Sequence, residues 1–137
     1  MSYWILKTEP STYSFDDLVK QRTAVWDGVK NPLALKHLGA MQPGEEVLIY
    51  HTGDVKAVIG LARVTKAAYP DPKQNDPRLI VVELKAGARL PTPVTLATIK
   101  ADPAFKDLAL VRMGRLSVVP ATPAQWQRLL RLGGMPS

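Results

Sequence analysis

The sequence predicts an α+β fold: a small curved sheet or barrel of at least five short strands, with short helices packed at its edges. Three observations carry this expectation. Short runs of aromatic and β-branched residues recur along the chain. Helix-start signals fall between those runs rather than in one block. Prolines number 12 in 137 residues, where the roughly 5% usual in proteins gives about seven. Punctuation that dense argues against a helical bundle or a doubly wound sheet.

Tyr3 to Thr8 (YWILKT) reads as a strand stopped by Glu9-Pro10, with Trp4, Leu6 and Thr8 on one face and Tyr3, Ile5 and Lys7 on the other. Ser14-Phe15-Asp16-Asp17 is a capping-box variant that opens a short helix to about Lys20. Trp26-Asp27-Gly28 falls outside any periodic pattern, in a loop or at a strand end. Asn31-Pro32 sets an N-cap acceptor before a first-turn proline, for a helix reaching Gly39 or Met41. After the turn at Gln42-Pro43-Gly44-Glu45, Val47 to His51 and Ala57 to Ala68 form an antiparallel pair, with Gly60 a candidate bulge. A polar loop from Pro70 to Pro77 leads to a strand over Leu79 to Lys85, and Leu116 to Val119 is a further strand. The clearest helix is the last. Thr122-Pro123-Ala124-Gln125 is a capping box, Trp126, Leu129 and Leu130 form its apolar face, and Gly133-Gly134 stops it. These periodicities place Trp4, Leu6, Val47, Ile49, Val58, Leu61, Val81 and Trp126 in the core.

The length fits one domain over residues 1–137. The absence of cysteine removes disulfides, thiolate nucleophiles, Fe–S clusters and the usual structural zinc sites. With His37 and His51 as the only histidines, no resident metal or cofactor is expected. No apolar run approaches the roughly 20 residues of a membrane span, so the expectation is a cytoplasmic protein without a membrane partner, a monomer by preference. Charge is lopsided. Residues 1–60 carry 6 Lys/Arg against 7 Asp/Glu, and residues 61–137 carry 12 against 5. A basic second half and a pI near 9.7 favour a polyanionic partner, of which nucleic acid is the commonest.

Several residues carry a functional reading beside a structural one. Trp26 offers a flat face to a planar ligand, or plugs a barrel end. Asn31 is a helix cap or a ligand contact. Thr8 and His51 both end strands and meet at one rim if those strands run side by side, although a histidine at a strand end is commonly a satisfied structural group. Arg112 and Arg115 bracket Met113-Gly114, either as a phosphate clamp or as a solvated basic turn. No nucleophile elbow, phosphate loop or zinc motif occurs.

The segments Tyr3 to Pro10, Tyr13-Ser14, Trp26 to Asn31, Leu48 to His51, Gly60-Leu61-Ala62, Ala68 to Asp71, Pro93 to Leu96 and Arg115 to Val118, in that order, resemble an EVE domain. That family lies in the PUA-like superfamily with the YTH and ASCH domains. The resemblance implies a PUA-like β-barrel or curved mixed sheet of five to six strands, with a pocket that in relatives accepts a modified nucleobase. Carried over by position, the binding set is Lys7, Thr8 and Glu9, then Trp26, Lys30 and Asn31, then Tyr50 and His51, and finally Arg112, Arg115 and Ser117. Departures from the family pattern are Thr8 and Lys30, where relatives have Ser and Arg, the segment Pro32 to Lys36, and a shorter loop between Tyr69 and Leu79.

The resulting expectation is a non-catalytic binder of a modified base in DNA or RNA. The base is turned out of its stack, set against Trp26 and read by Thr8, Asn31 or His51, while basic residues hold phosphate. The alternative is a small ASCH-like amidohydrolase of acylated nucleosides using Lys7, Thr8 and Glu9, against which strand alternation sends Lys7 and Thr8 to opposite faces. A third reading is a protein-interaction scaffold with a vestigial pocket.

Overall fold

The computed structural model describes residues 2–136. One six-stranded mixed sheet has the order β2-β5-β4-β3-β1-β6. These strands are β1 (Tyr3–Thr8), β2 (Thr23–Trp26), β3 (Glu46–His51), β4 (Ala57–Pro70), β5 (Ile80–Thr95) and β6 (Val118–Ala121). The flanking helices are α1 (Phe15–Gln21), α2 (Pro32–Ala40), α3 (Leu96–Ala101), the single turn α4 (Ala109–Arg112) and α5 (Pro123–Leu132). The sheet curls but does not close, in agreement with the fold class expected from sequence.

β1 lies one strand in from the β6 edge of the sheet. It pairs parallel with β3 and antiparallel with β6, and Ile5 and Leu6 are both fully buried, so both of its faces are covered. Helix caps act where the sequence placed them. Ser14 and Asp17 form a reciprocal capping box on α1, Thr122 and Gln125 form another on α5, and Asn31 Oδ1 accepts from the Ala34 N–H to open α2. Such a cap is worth about 1 kcal/mol. Trp126 is 1% exposed and stacks on Tyr3 at 4.8 Å, which docks α5 onto the sheet. Seven of the eight expected core residues are buried. Leu61 is half-buried, at the point where the β4–β5 register shifts between Gly60 and Ala62 and interrupts the regular alternation of the strand. Gly60 also lies against the Phe15 ring at the start of α1, and a Cβ there would overlap that ring, so only glycine admits it.

Trp26 takes the second of its two expected places, the end of a strand: it closes β2, an edge strand whose partner is β5. Three differences from the expected elements matter. The strand expected over Leu79 to Lys85 continues to Thr95. Pro91 and Pro93 are tolerated because they fall in a gap in the β4 pairing, beyond the part of β5 that β2 covers. α3 and α4 were not expected, since both are one or two turns long and lack an extended apolar period. The late strand begins at Val118, with Leu116 buried in the turn before it. No helix among the described residues is long and apolar enough to cross a membrane.

Candidate functional site

β2 and β6 are the two ends of the sheet order, yet residues from both ends wall one cavity of about 490 Å³. Val25 and Trp26 come from β2, Lys7 and Thr8 end β1, and Ser117 leads into β6. The cavity is therefore the seam that the curled sheet leaves open. Its size falls within the roughly 300–1,000 Å³ of small-molecule sites.

Each wall is held by identifiable bonds. Thr8 Oγ1 donates to the Tyr13 carbonyl at 2.6 Å, and the Tyr13 hydroxyl donates to Gln21 Oε1, so the turn after β1 is tied down across the mouth. Because its proton is engaged, Thr8 Oγ1 faces the cavity as an acceptor. Lys7 Nζ donates to the Gly114 carbonyl at 2.9 Å and retains two further N–H groups. Burial pushes the Lys7 ammonium below its ordinary pKa. Burial, followed by the nearby Asp17 charge, pushes the Tyr13 phenol up. The Tyr13 and Trp26 rings meet edge to face at 6.1 Å and 82°, forming an aromatic corner. Trp26 is only 7% exposed, so part of its ring belongs to the core and the remainder to the cavity wall.

A second cavity, of about 410 Å³, adjoins the first. Consecutive residues Leu116 and Ser117 line the second and the first respectively, and the Lys7–Gly114 bond crosses the boundary. Arg112, Arg115 and Asn31 line it, and Arg112 lies 3.8 Å from Asp107.

Of the expected site residues, the first cavity gathers Lys7, Thr8, Trp26 and Ser117, and the second gathers Asn31, Arg112 and Arg115. The other four lie elsewhere. Thr8 and His51 do pair in register, as their strand ends implied. His51, however, is buried, and its Nε2 accepts from the Phe15 N–H at 3.0 Å, fixing the start of α1. Burial lowers its pKa, partly offset by the Glu9 charge. Glu9 accepts from the Ser11 N–H and hydroxyl and lies against Gly53, away from the cavity. Tyr50 is buried, with Lys7 Nζ 5.9 Å from its ring centre. Lys30 is exposed and lines neither cavity. The expected pocket of Thr8, Asn31 and His51 around Trp26 is thus reduced to Thr8.

Alternation along β1 also fails to separate Lys7 from Thr8. The cavity lies across the strand's end rather than over one face, so both reach it. Thr12, Tyr13, Gln21 and Asp27 line the cavity as well and were not singled out from sequence. They lie in a turn, at a helix end and after a strand, where no periodic signal operates. No group of three His, Cys, Asp or Glu among the described residues is placed to hold a metal ion.

Residues 2–132 match the EVE domain family. A solved structure from Rhodopseudomonas palustris is 39% identical, with a TM-score of 0.92 over 98% of this chain and 94% of its own. Human thymocyte nuclear protein 1 is 28% identical in sequence, over 96% of this chain and 73% of its own length. The structure of that human protein in complex with DNA containing 5-methylcytosine superposes with a TM-score of 0.90 over the whole of both chains, at 27% identity. An ASCH protein from Zymomonas mobilis, at 12% identity and a TM-score of 0.60, shares the fold alone.

Proposed function

Because this chain belongs to the EVE domain family, we propose that it is a DNA-binding module that accepts one modified nucleobase in the seam cavity. The observation that carries this reading is the cavity itself, where an aromatic corner of Tyr13 and Trp26 faces donors from Lys7 and an acceptor from Thr8. A nucleobase has two flat faces and an edge of alternating donors and acceptors, and this site offers partners for both. The relative bound to 5-methylcytosine DNA supports the same class of ligand.

The base leaves its stack and settles into the corner that Tyr13 and Trp26 make, lying against one ring with its rim toward the other. Lys7 donates to ring or carbonyl acceptors on its edge, and Thr8 Oγ1 or the Asp27 carboxylate accepts from an exocyclic amine. Arg112 and Arg115 at the second cavity take the adjoining phosphate through their planar donor forks. Base–aromatic stacking is worth about 1–3 kcal/mol per base, so most of the remaining affinity comes from phosphate and falls with salt.

A second reading has one observation in its favour: the amine of Lys7 and the hydroxyl of Thr8 share the cavity, as an amidohydrolase would need. The Glu9 carboxylate, turned to Ser11, does not join them. One experiment separates the two. Modified nucleosides and short oligodeoxynucleotides are titrated against the protein while product is followed in the same samples. Saturable binding without product, weakened about tenfold by Tyr13→Ala and reduced across all sequences by Arg112→Ala, is the expected result. Product release, or affinity indifferent to salt, overturns it.

A further inference from the structure

Phosphate contact accounts for Arg112 and Arg115 but leaves the methionine between them without a role. Among the described residues the exposed large apolar side chains are Val19, Val25, Leu33, Val55 and Met113. Val25 lies across from Glu83 and Val55 follows Asp54, and an acidic neighbour suits neither to a polyanion. Met113, 45% exposed, alone of the five has an exposed arginine on either side, Arg112 before it and Arg115 after Gly114. An apolar side chain flanked by cations matches a partner that is anionic outside and apolar within. Duplex DNA is such a partner, with phosphates around stacked bases.

The backbone around Met113 is fixed, and it is fixed to the base cavity. The Met113 N–H donates to the Ala109 carbonyl at 2.7 Å, the Leu116 N–H donates to the Met113 carbonyl at 3.0 Å, and the buried Leu116 side chain roots the turn. Gly114, the next residue, accepts from Lys7 Nζ at 2.9 Å, and Lys7 lines the cavity. A turn so anchored needs little ordering on binding. Turning a base out of a duplex breaks its pairing and stacking, a loss that an apolar wedge set between base steps offsets. Methionine is long, unbranched and polarizable, which suits it to an irregular gap between rings.

Resting on the base-binding reading above, we infer that Met113 is a wedge: it enters double-stranded DNA beside the base that moves into the seam cavity, while Arg112 and Arg115 hold the backbone there. Met113 thus acts on the opening of the duplex and takes no part in holding the modified base itself. Its contribution should disappear wherever the base is already free.

The test uses the full chain and DNA carrying one 5-methylcytosine in three settings: a fully paired duplex, the same duplex with an abasic site opposite the modified base, and the single strand. Unmethylated counterparts serve as controls. Met113→Ala should weaken the paired duplex roughly tenfold but the single strand by less than about twofold, with the abasic duplex between them, because the loss on extrusion is largest for a paired base. Met113→Leu keeps an apolar wedge and should restore most of the affinity. Met113 is exposed, so both variants should melt with the parent. A 2-aminopurine placed beside the methylcytosine reports unstacking, and at saturation it should brighten less with Met113→Ala than with the parent. Equal weakening in all three settings, no weakening in any, or a parent that binds the single strand but not the duplex overturns the wedge and spares the base reading. Parent binding indifferent to the methyl group, or no binding, overturns both.

Discussion

The two ends of β1 are built to opposite rules. At its start, Trp4 Nε1 donates to Glu45 Oε1 at 3.0 Å, the Ser2 and Gln42 N–H groups donate to the same carboxylate, and Tyr3 stacks on Trp126. The Trp4 indole N–H and the Glu45 carboxylate there are matched within the protein. At its end, Lys7 keeps spare donors, Thr8 offers an acceptor, and an aromatic corner borders a cavity of about 490 Å³. The difference teaches where binding capacity resides: one end spends its hydrogen-bonding groups on folding, while the other leaves them unmatched within reach of solvent. Mutation should therefore act on stability at the first end and on affinity at the second.

The largest contrast is between the two buried tryptophans. Trp126→Ala opens a void beneath α5 and should lower stability by about 3–5 kcal/mol, seen in chemical denaturation, with no change in affinity of the folded fraction. Trp26→Phe keeps a ring in the core but shrinks the cavity wall. It should lower stability by less than half as much and weaken the modified base more than its unmodified counterpart. Equal effects of the two on affinity would break the comparison.

Glu45 comes next. Burial alone raises its pKa, but the bonds from Trp4, Gln42 and Ser2 outweigh burial and hold it below the ordinary carboxylate value. A depressed carboxylate pKa gives stability that is present above the unfolded value and lost as pH falls through the folded one. Glu45→Ala should cost about 2–3 kcal/mol at neutral pH, and denaturation midpoints of this variant should lose part of the parent's decline on acidification.

His51 sharpens the comparison from β3. Its ring must stay neutral to accept from the Phe15 N–H, and burial depresses its pKa. The unfolded chain binds a proton first, so stability is full above the unfolded histidine value and lost as pH drops through the folded one. His51→Gln keeps an acceptor without titrating, and melts between neutral pH and about pH 5 should show a shallower decline than the parent. An identical slope would remove His51 from the scaffold.

The smallest effect on folding belongs to Lys7→Met, within about 0.5 kcal/mol, since it removes a partly desolvated charge and preserves the side-chain stem. The same variant should weaken modified-base binding by roughly tenfold through the lost charged hydrogen bond.

These pairs also mark how far the residues could be read before folding. That Thr8 and His51 each end a strand was legible from local pattern, whereas the parallel pairing that sets them side by side joins segments far apart in the chain and came only with the fold. That His51 would be spent on a backbone N–H and Thr8 on the cavity depended on where the turn after β1 and the start of α1 come to rest. The places of Tyr13 and Gln21 in the cavity wall were missed for the same reason, as their meeting is made by a turn and a helix end without period.

By itself, the sequence determined the elements whose signals are local: β1, the capped helices α1, α2 and α5, the β3–β4 pair, most of the core and the family. Periodicity and capping act over one or two turns of chain, so the residues that carry them are neighbours in sequence. The tertiary structure alone decided that β2 would be the edge strand opposite β6, that the sheet would curl until those edges faced each other unclosed, and that Lys7 and Thr8 would share the gap. Curvature is set by twist accumulated over six strands and by the register shifts at Gly60 and beyond, a sum of small rotations that no single segment of the chain contains.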